Sequence, residues 1–185
     1  MQLSFPVFIV VIVVALSLAA AVFDGRTGRI PNWLTLPAMI LGIASHWLVG
    51  GPAALGLSVL GLFLTALVPW AFYQGSGGRA IGGGDVKFAA AIGALTGPMQ
   101  GLEIEFAALL ALAFLALIRL TYAGKLGCVV GNVFYLVTNP IRPKARRKII
   151  APESLTEMRM GPGIALGVLV VLLSEHLERW FPWLA

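Results

Sequence analysis

Asp24 and Asp85 are the only two aspartates in the chain, and each stands next to a glycine. Paired carboxyls suit acid–base hydrolysis: one carboxylate takes a proton from water, and one protonated carboxyl gives a proton to the leaving group. Held close together, two carboxyls cannot both ionise cheaply, so such a pair shares a proton. Asp85 closes the run "GGGD" at 82–85, with Lys87 two residues on, and Asp24 opens "DGRTGRIPN" at 24–32. Glycine admits close backbone approach, which an extended peptide needs in order to reach a catalytic carboxylate. The plain alternative is that both residues only terminate helices, Asp85 as an N-cap accepting bonds from free backbone N–H groups.

The elements that position these residues are apolar. Of 185 residues, 59% are hydrophobic and 11% charged, against about a quarter charged in a soluble domain. Mean hydropathy is +0.93. No charged side chain occurs from 1 to 23 or from 30 to 78. A spanning helix needs roughly 20 mostly apolar residues, so the second run holds two spans, with "VGGPA" at 49–53 as the turn between them. The pattern predicts an all-α, polytopic membrane bundle forming one domain over residues 1–185, with about six transmembrane helices near 5–23, 33–49, 53–73, 84–99, 103–122 and 162–181. The 126–141 run reads as interfacial or re-entrant, or as a seventh span.

Twelve of the 13 Lys and Arg residues fall in the loops on one side of this topology, and only Arg179 falls opposite. By the positive-inside rule that side is cytoplasmic, and both aspartates lie at it. The formal charge of +5 thus reports topology and attraction to anionic lipid. The basic cluster at 142–148 is read the same way, not as a nucleic-acid site. The N-terminal run lacks the basic start of a signal peptide. Cys128 is the sole cysteine, which leaves no intrachain disulfide and no CxxC metal site. His46 and His176 fall at the outer ends of spans, where they read as interfacial packing residues. Neither a phosphate-binding G-x-x-x-x-G-K-[ST] loop nor a Ser-His-Asp set is legible. No metal and no cofactor is expected.

Asp24, then "IPN" at 30–32, then "GGGDVK" at 82–87, resembles the type IV prepilin peptidases, membrane aspartic proteases of the G-x-G-D class that they share with presenilin-type proteases. Gly82, Gly84 and Asp85 match G-x-G-D, and Lys87 matches the lysine usual in that family. "RMGPGIALG" at 159–167 resembles the Gly-Pro motif that opens the family's last span. The resemblance implies a catalytic pair of Asp24 and Asp85, with Gly82, Gly84, Lys87, Pro31 and Asn32 facing the substrate. It implies a prepilin substrate, lying in the inner membrane with its basic leader in the cytoplasm. Larger, bifunctional relatives carry an N-terminal cytoplasmic insertion, often with paired CxxC motifs, and also N-methylate the product. Only residues 24–32 separate the first two spans here, so the chain looks like the short peptidases of Tad/Flp pilus systems, without the methyltransferase.

Helix dipoles favour negative charge at the start of a helix and oppose it at the end, by about 0.3–1 kcal/mol per site. Asp85 opens a span and Asp24 closes one, so the dipoles place the shared proton on Asp24. Lys87 near Asp85 adds to that bias, and Arg26 opposes it. Three other functions would use parts of this sequence. A proton- or ion-coupled transporter would use the two intramembrane acids, but it gives no reason for "GGGD" at a cytoplasmic mouth. A CDP-alcohol phosphotransferase would start from "DGRTGR" but needs further aspartates to bind metal. A non-catalytic assembly subunit would not need both aspartates.

Overall fold

The computed structural model describes residues 7–76, 81–122, 124 and 161–180. Among them the secondary structure is all helical: α1 (Val7–Thr27), α2 (Asn32–Ser76), α3 (Gly83–Thr96), α4 (Pro98–Tyr122) and α5 (Gly161–Trp180). Arg79, Cys128, the 126–141 run and the basic cluster at 142–148 lie outside the described residues. Among the described residues three helical segments are long and apolar enough to cross a membrane: Phe8–Thr27, Asn32–Gln74 and Pro98–Ile118. α3 has 14 residues, fewer than the roughly 20 that a span needs.

The chain divides into two compact units, Met1–Leu112 with Arg159–Ala185, and Ala113–Met158. In the second, the described residues are the C-terminal part of α4, where the Thr121 hydroxyl donates to the Leu117 carbonyl at 2.7 Å, and Gly124, whose N–H donates to the Thr121 carbonyl at 3.0 Å. The site lies in the first unit.

The turn expected at 49–53 is present as a break inside α2. Gly51 sits at φ 64°, ψ −155°, a conformation that side-chain-bearing residues rarely adopt. It divides α2 into two arms, and α3 packs against both. Along the first arm, Asn32 meets Lys87 and Gly42 lies against the backbone of Ala94 and Leu95. Along the second, the Ser58 hydroxyl donates to the Ala94 carbonyl at 2.7 Å and the Thr65 hydroxyl to the Ala89 carbonyl at 2.8 Å. The first arm therefore runs parallel to α3 and the second antiparallel, so α2 is a helical hairpin that grips α3. Side-chain hydrogen bonds of this interhelical kind contribute about 0.6–1.7 kcal/mol each in a membrane bundle.

Small residues set the spacing. A β-carbon on Gly42 would stand 2.6 Å from the Ala94 carbonyl carbon, and Gly61 and Gly93 abut each other directly. Ala89, Ala90, Ala91, Gly93 and Ala94 are all buried, and Ala89, Gly93 and Ala94 meet α2 directly. α5 closes on α4 in the same manner, with Gly167 against the backbone of Ala108. It also packs along α1.

Two boundaries differ from the sequence reading. α1 runs through Gly25 and stops at Thr27, because a single glycine costs a helix only about 1 kcal/mol. α4 begins at Pro98, not near residue 103. Gly97 turns the chain at φ 79°, and proline at the first helical position gives up an N–H that no helix would have used. His46 Nδ1 lies 3.0 Å from the Gly42 carbonyl, one turn earlier in the first arm of α2.

Candidate active site

Asp24 sits in the last turn of α1. Gly28 (φ 66°) ends the helix there, and its N–H donates to the Asp24 carbonyl at 2.9 Å. The chain then doubles back over Pro31, whose carbonyl accepts from the Leu34 N–H at 3.1 Å and starts α2. Phe23 and Trp33 meet edge to face across this turn, with ring centroids 5.4 Å apart. Such a pair adds about 0.5–1.5 kcal/mol beyond the area it buries, and it clamps the end of α1 to the start of α2. Asp24 is left buried, 4% exposed.

Asp85 lies in the first turn of α3, outside the three membrane-length segments. The N-cap is Gly82, so Asp85 does not hold the N-cap position that the plain alternative gave it. Asp85 occupies the third helical position, and its Oδ2 accepts from the Gly82 N–H at 3.0 Å. The reciprocal bond runs from the Asp85 N–H to the Gly82 carbonyl at 3.1 Å. This capping arrangement uses one carboxylate oxygen. The other, Oδ1, is buried and has no hydrogen-bond partner among the described residues. A carboxylate needed only as a cap would not bury an unsatisfied oxygen, which costs about 1–3 kcal/mol.

Burial pushes the Asp85 carboxyl up to about 6, the Gly82 N–H pulls against that rise, and the charge of Asp24 adds to it. The two aspartates thus lie within electrostatic reach of each other. At Asp85 the first-turn dipole favours the ionised form, and desolvation by burial acts against it.

The remaining candidates gather around this pair. A β-carbon on Gly84 would stand 3.0 Å from the Ile30 carbonyl oxygen and 3.3 Å from its N and Cβ. The space beside Gly84 therefore belongs to the α1–α2 turn, and its φ is not positive. Glycine is needed there so that Ile30 can approach, which draws the Asp24 segment against α3. Lys87 Nζ donates to Asn32 Oδ1 at 2.9 Å and fastens the same two segments from outside. Lys87 and Asn32 are thus engaged with each other. Gly82 is exposed and Pro31 half-buried. Near Gly83 the edge of the Tyr73 ring comes within 3.9 Å of where a β-carbon would stand.

The sequence reading missed Ile30 as the buried spacer, 5% exposed; its signal was an isolated apolar residue between Arg29 and Pro31. Among the described residues no group of three or more His, Cys, Asp and Glu could hold a metal. Chemically, the arrangement offers one deeply buried carboxyl and one half-buried carboxyl with a free oxygen, at the end of a helical bundle.

The model of the type IV leader peptidase family matches residues 11–121, a range that contains both aspartates and the whole α2–α3 hairpin. No curated protein and no solved structure matches the chain.

Proposed function

The chain belongs to the type IV leader peptidase family, and on that premise we propose that it is an aspartic endopeptidase that removes the leader peptide of small, Flp-like prepilins. Asp24 and Asp85 are its catalytic pair. One ionised carboxylate activates water for attack on the scissile carbonyl, and the other, protonated, gives its proton to the leaving nitrogen. A tightly coupled pair titrates as a unit and shares one proton, and burial raises the Asp85 carboxyl.

The observation that carries this reading is the free, buried Oδ1 of Asp85 under the influence of Asp24. Lys87, Asn32, Pro31 and Gly84 act as positioning residues that hold the Asp24 segment against α3. The proposed topology is about six spans in the cytoplasmic membrane with the dyad at the cytoplasmic face, supported by the one-sided distribution of Lys and Arg. The family match leaves the coupled-transport alternative without support.

The test is co-expression with a small prepilin, read by mass. Loss of the leader with the wild-type chain, and retention of it with Asp24→Asn or Asp85→Asn, is the expected result. Processing by either well-folded variant would sink the proposal.

A further inference from the structure

Thr27 is the last residue of α1, and its exposed hydroxyl meets two backbone carbonyls. It lies 2.8 Å from the Phe23 carbonyl oxygen, one turn back, and 3.1 Å from the Arg29 carbonyl oxygen, on the far side of Gly28. A hydroxyl carries one proton, so the two carbonyls share it. Ser17, Thr96 and Thr121 also bond back to the carbonyl four residues earlier. Such a bond does not strengthen a helix and tends to bend it. Gly28 already ends α1 at φ 66°. Ending the helix therefore gives no reason for the forward reach to Arg29.

The two carbonyls stand beside the residues that build the dyad. Phe23 precedes Asp24. Arg29 precedes Ile30, which seats on Gly84, and Gly84 precedes Asp85. A short route thus runs from Asp24 through Phe23, the Thr27 hydroxyl, Arg29 and Ile30 to Gly84 and Asp85. The segment that it crosses is rich in glycine. Gly25 and Gly28 flank Thr27, and a β-carbon at either would meet nothing within 4 Å, so neither glycine is there to let a neighbour approach. Both leave the backbone more conformational freedom than another residue would. Lys87 fastens the far end of this turn at Asn32, and the Thr27 hydroxyl fastens the near end. Threonine suits the task, because branching at its β-carbon leaves few χ1 states.

We propose that Thr27 is a positioning residue of the peptidase: its hydroxyl fixes the α1–α2 turn and so sets where Asp24 stands relative to Asp85. The inference rests on the peptidase reading above. Thr27 takes no part in the chemistry and acts through the two segments that it ties. An exposed hydrogen bond adds little to global stability. Its effect falls on the rate, because a misplacement of about 1 Å in a catalytic group can cost a hundredfold.

The test uses the full chain in detergent and a small Flp-like prepilin with its leader intact, with cleavage read by mass. Thr27→Val keeps the shape of the side chain and removes the hydroxyl; Thr27→Ser keeps the hydroxyl. Thr27→Val is expected to lower kcat roughly 3- to 10-fold with KM unchanged, and Thr27→Ser to stay within about twofold of the wild type. Both variants should melt within about 2–4 °C of the wild type, and rates are taken where melting curves show all three proteins folded. A kcat for Thr27→Val equal to that of the wild type overturns the assignment. An equal loss in Thr27→Ser overturns it too, since the hydroxyl would then be irrelevant. A loss confined to KM replaces positioning with a substrate contact, and a loss that only tracks the folded fraction leaves Thr27 a packing residue; either overturns the proposal. A wild type that leaves the leader in place overturns the peptidase reading, and the role of Thr27 with it.

Discussion

Lys87 Nζ donates to Asn32 Oδ1 at 2.9 Å, which joins the first turn of α2 to the start of α3. The bond is exposed, so its contribution to global stability is small, about 0.5–1.5 kcal/mol. Its reach is larger than its strength. Asn32 follows the turn that carries Ile30 onto Gly84, and Asp24 lies at the other end of that turn. Lys87→Met and Asn32→Leu are expected to lower kcat by a similar factor, roughly 5- to 30-fold, with the double variant little worse than either single one. Additive losses in a double-mutant cycle would show that the two residues act independently on the substrate.

Asp24→Asn and Asp85→Asn are each expected to reduce cleavage below detection, because neither carboxyl alone supplies both base and acid. Both variants should remain helical and monodisperse in detergent. Circular dichroism and gel filtration check the fold, and the mass of a co-expressed prepilin checks the activity.

The raised Asp85 carboxyl predicts a stability effect of definite sign. Folding favours its protonated form, so the favourable contribution is fully present below the ordinary value of 3.8 and is lost as pH rises through about 6. An uncharged isostere escapes that loss. Asp85→Asn, which keeps an oxygen for the Gly82 N–H, is therefore expected to be more stable than the wild type at pH 8, by up to about 3 kcal/mol. Near pH 3.5 the difference should vanish. Melting temperatures in detergent across this range decide it, and a gain independent of pH would count against a titrating Asp85.

Chelation is expected to leave cleavage unchanged. Two carboxyls and no His or Cys ligand set make a poor metal site, and acid–base work by the pair has no role for a cation. Activity lost in EDTA and restored by a divalent ion would replace the dyad with a metal mechanism.

Much of this was legible in the residues. Long charge-free runs marked the apolar helices, and glycine with proline at 49–53 marked the break at Gly51. The scarcity of aspartate singled out the pair. Other features depend on which helices meet, which no local pattern reports. The small residues of α3 permit close approach of a helix, but only the packed chain shows that the two arms of α2 take that place. Gly84 looked like the peptide-facing edge, yet the chain's own Ile30 occupies that place.

Gly84 gives the sharpest structural test. A β-carbon there would stand 3.0 Å from the Ile30 carbonyl oxygen and 3.3 Å from its N and Cβ, closer than most real contacts allow. Two of those three atoms are backbone and cannot rotate away, so the α1–α2 turn must shift. Gly84→Val is expected to lower stability by about 1–3 kcal/mol, as overpacking does. It should also displace Ile30, loosen the Lys87–Asn32 bond and misplace Asp24. A misplacement of about 1 Å in a catalytic group can cost a hundredfold in rate, so activity should fall well beyond the loss of folded protein. Gly97 is unsuitable as a control, because its φ of 79° would strain any side chain. Gly56 serves better: it is helical, and nothing lies within 4 Å of where a β-carbon would stand. Gly56→Ala should be neutral or slightly stabilising, by about 0.5–1 kcal/mol. Cleavage is to be measured at a temperature where melting curves show both variants folded. Proportional loss of activity and folded fraction in Gly84→Val would reduce Gly84 to a packing residue. Normal cleavage by Gly84→Val would show that the approach of Ile30 to α3 does not position the dyad.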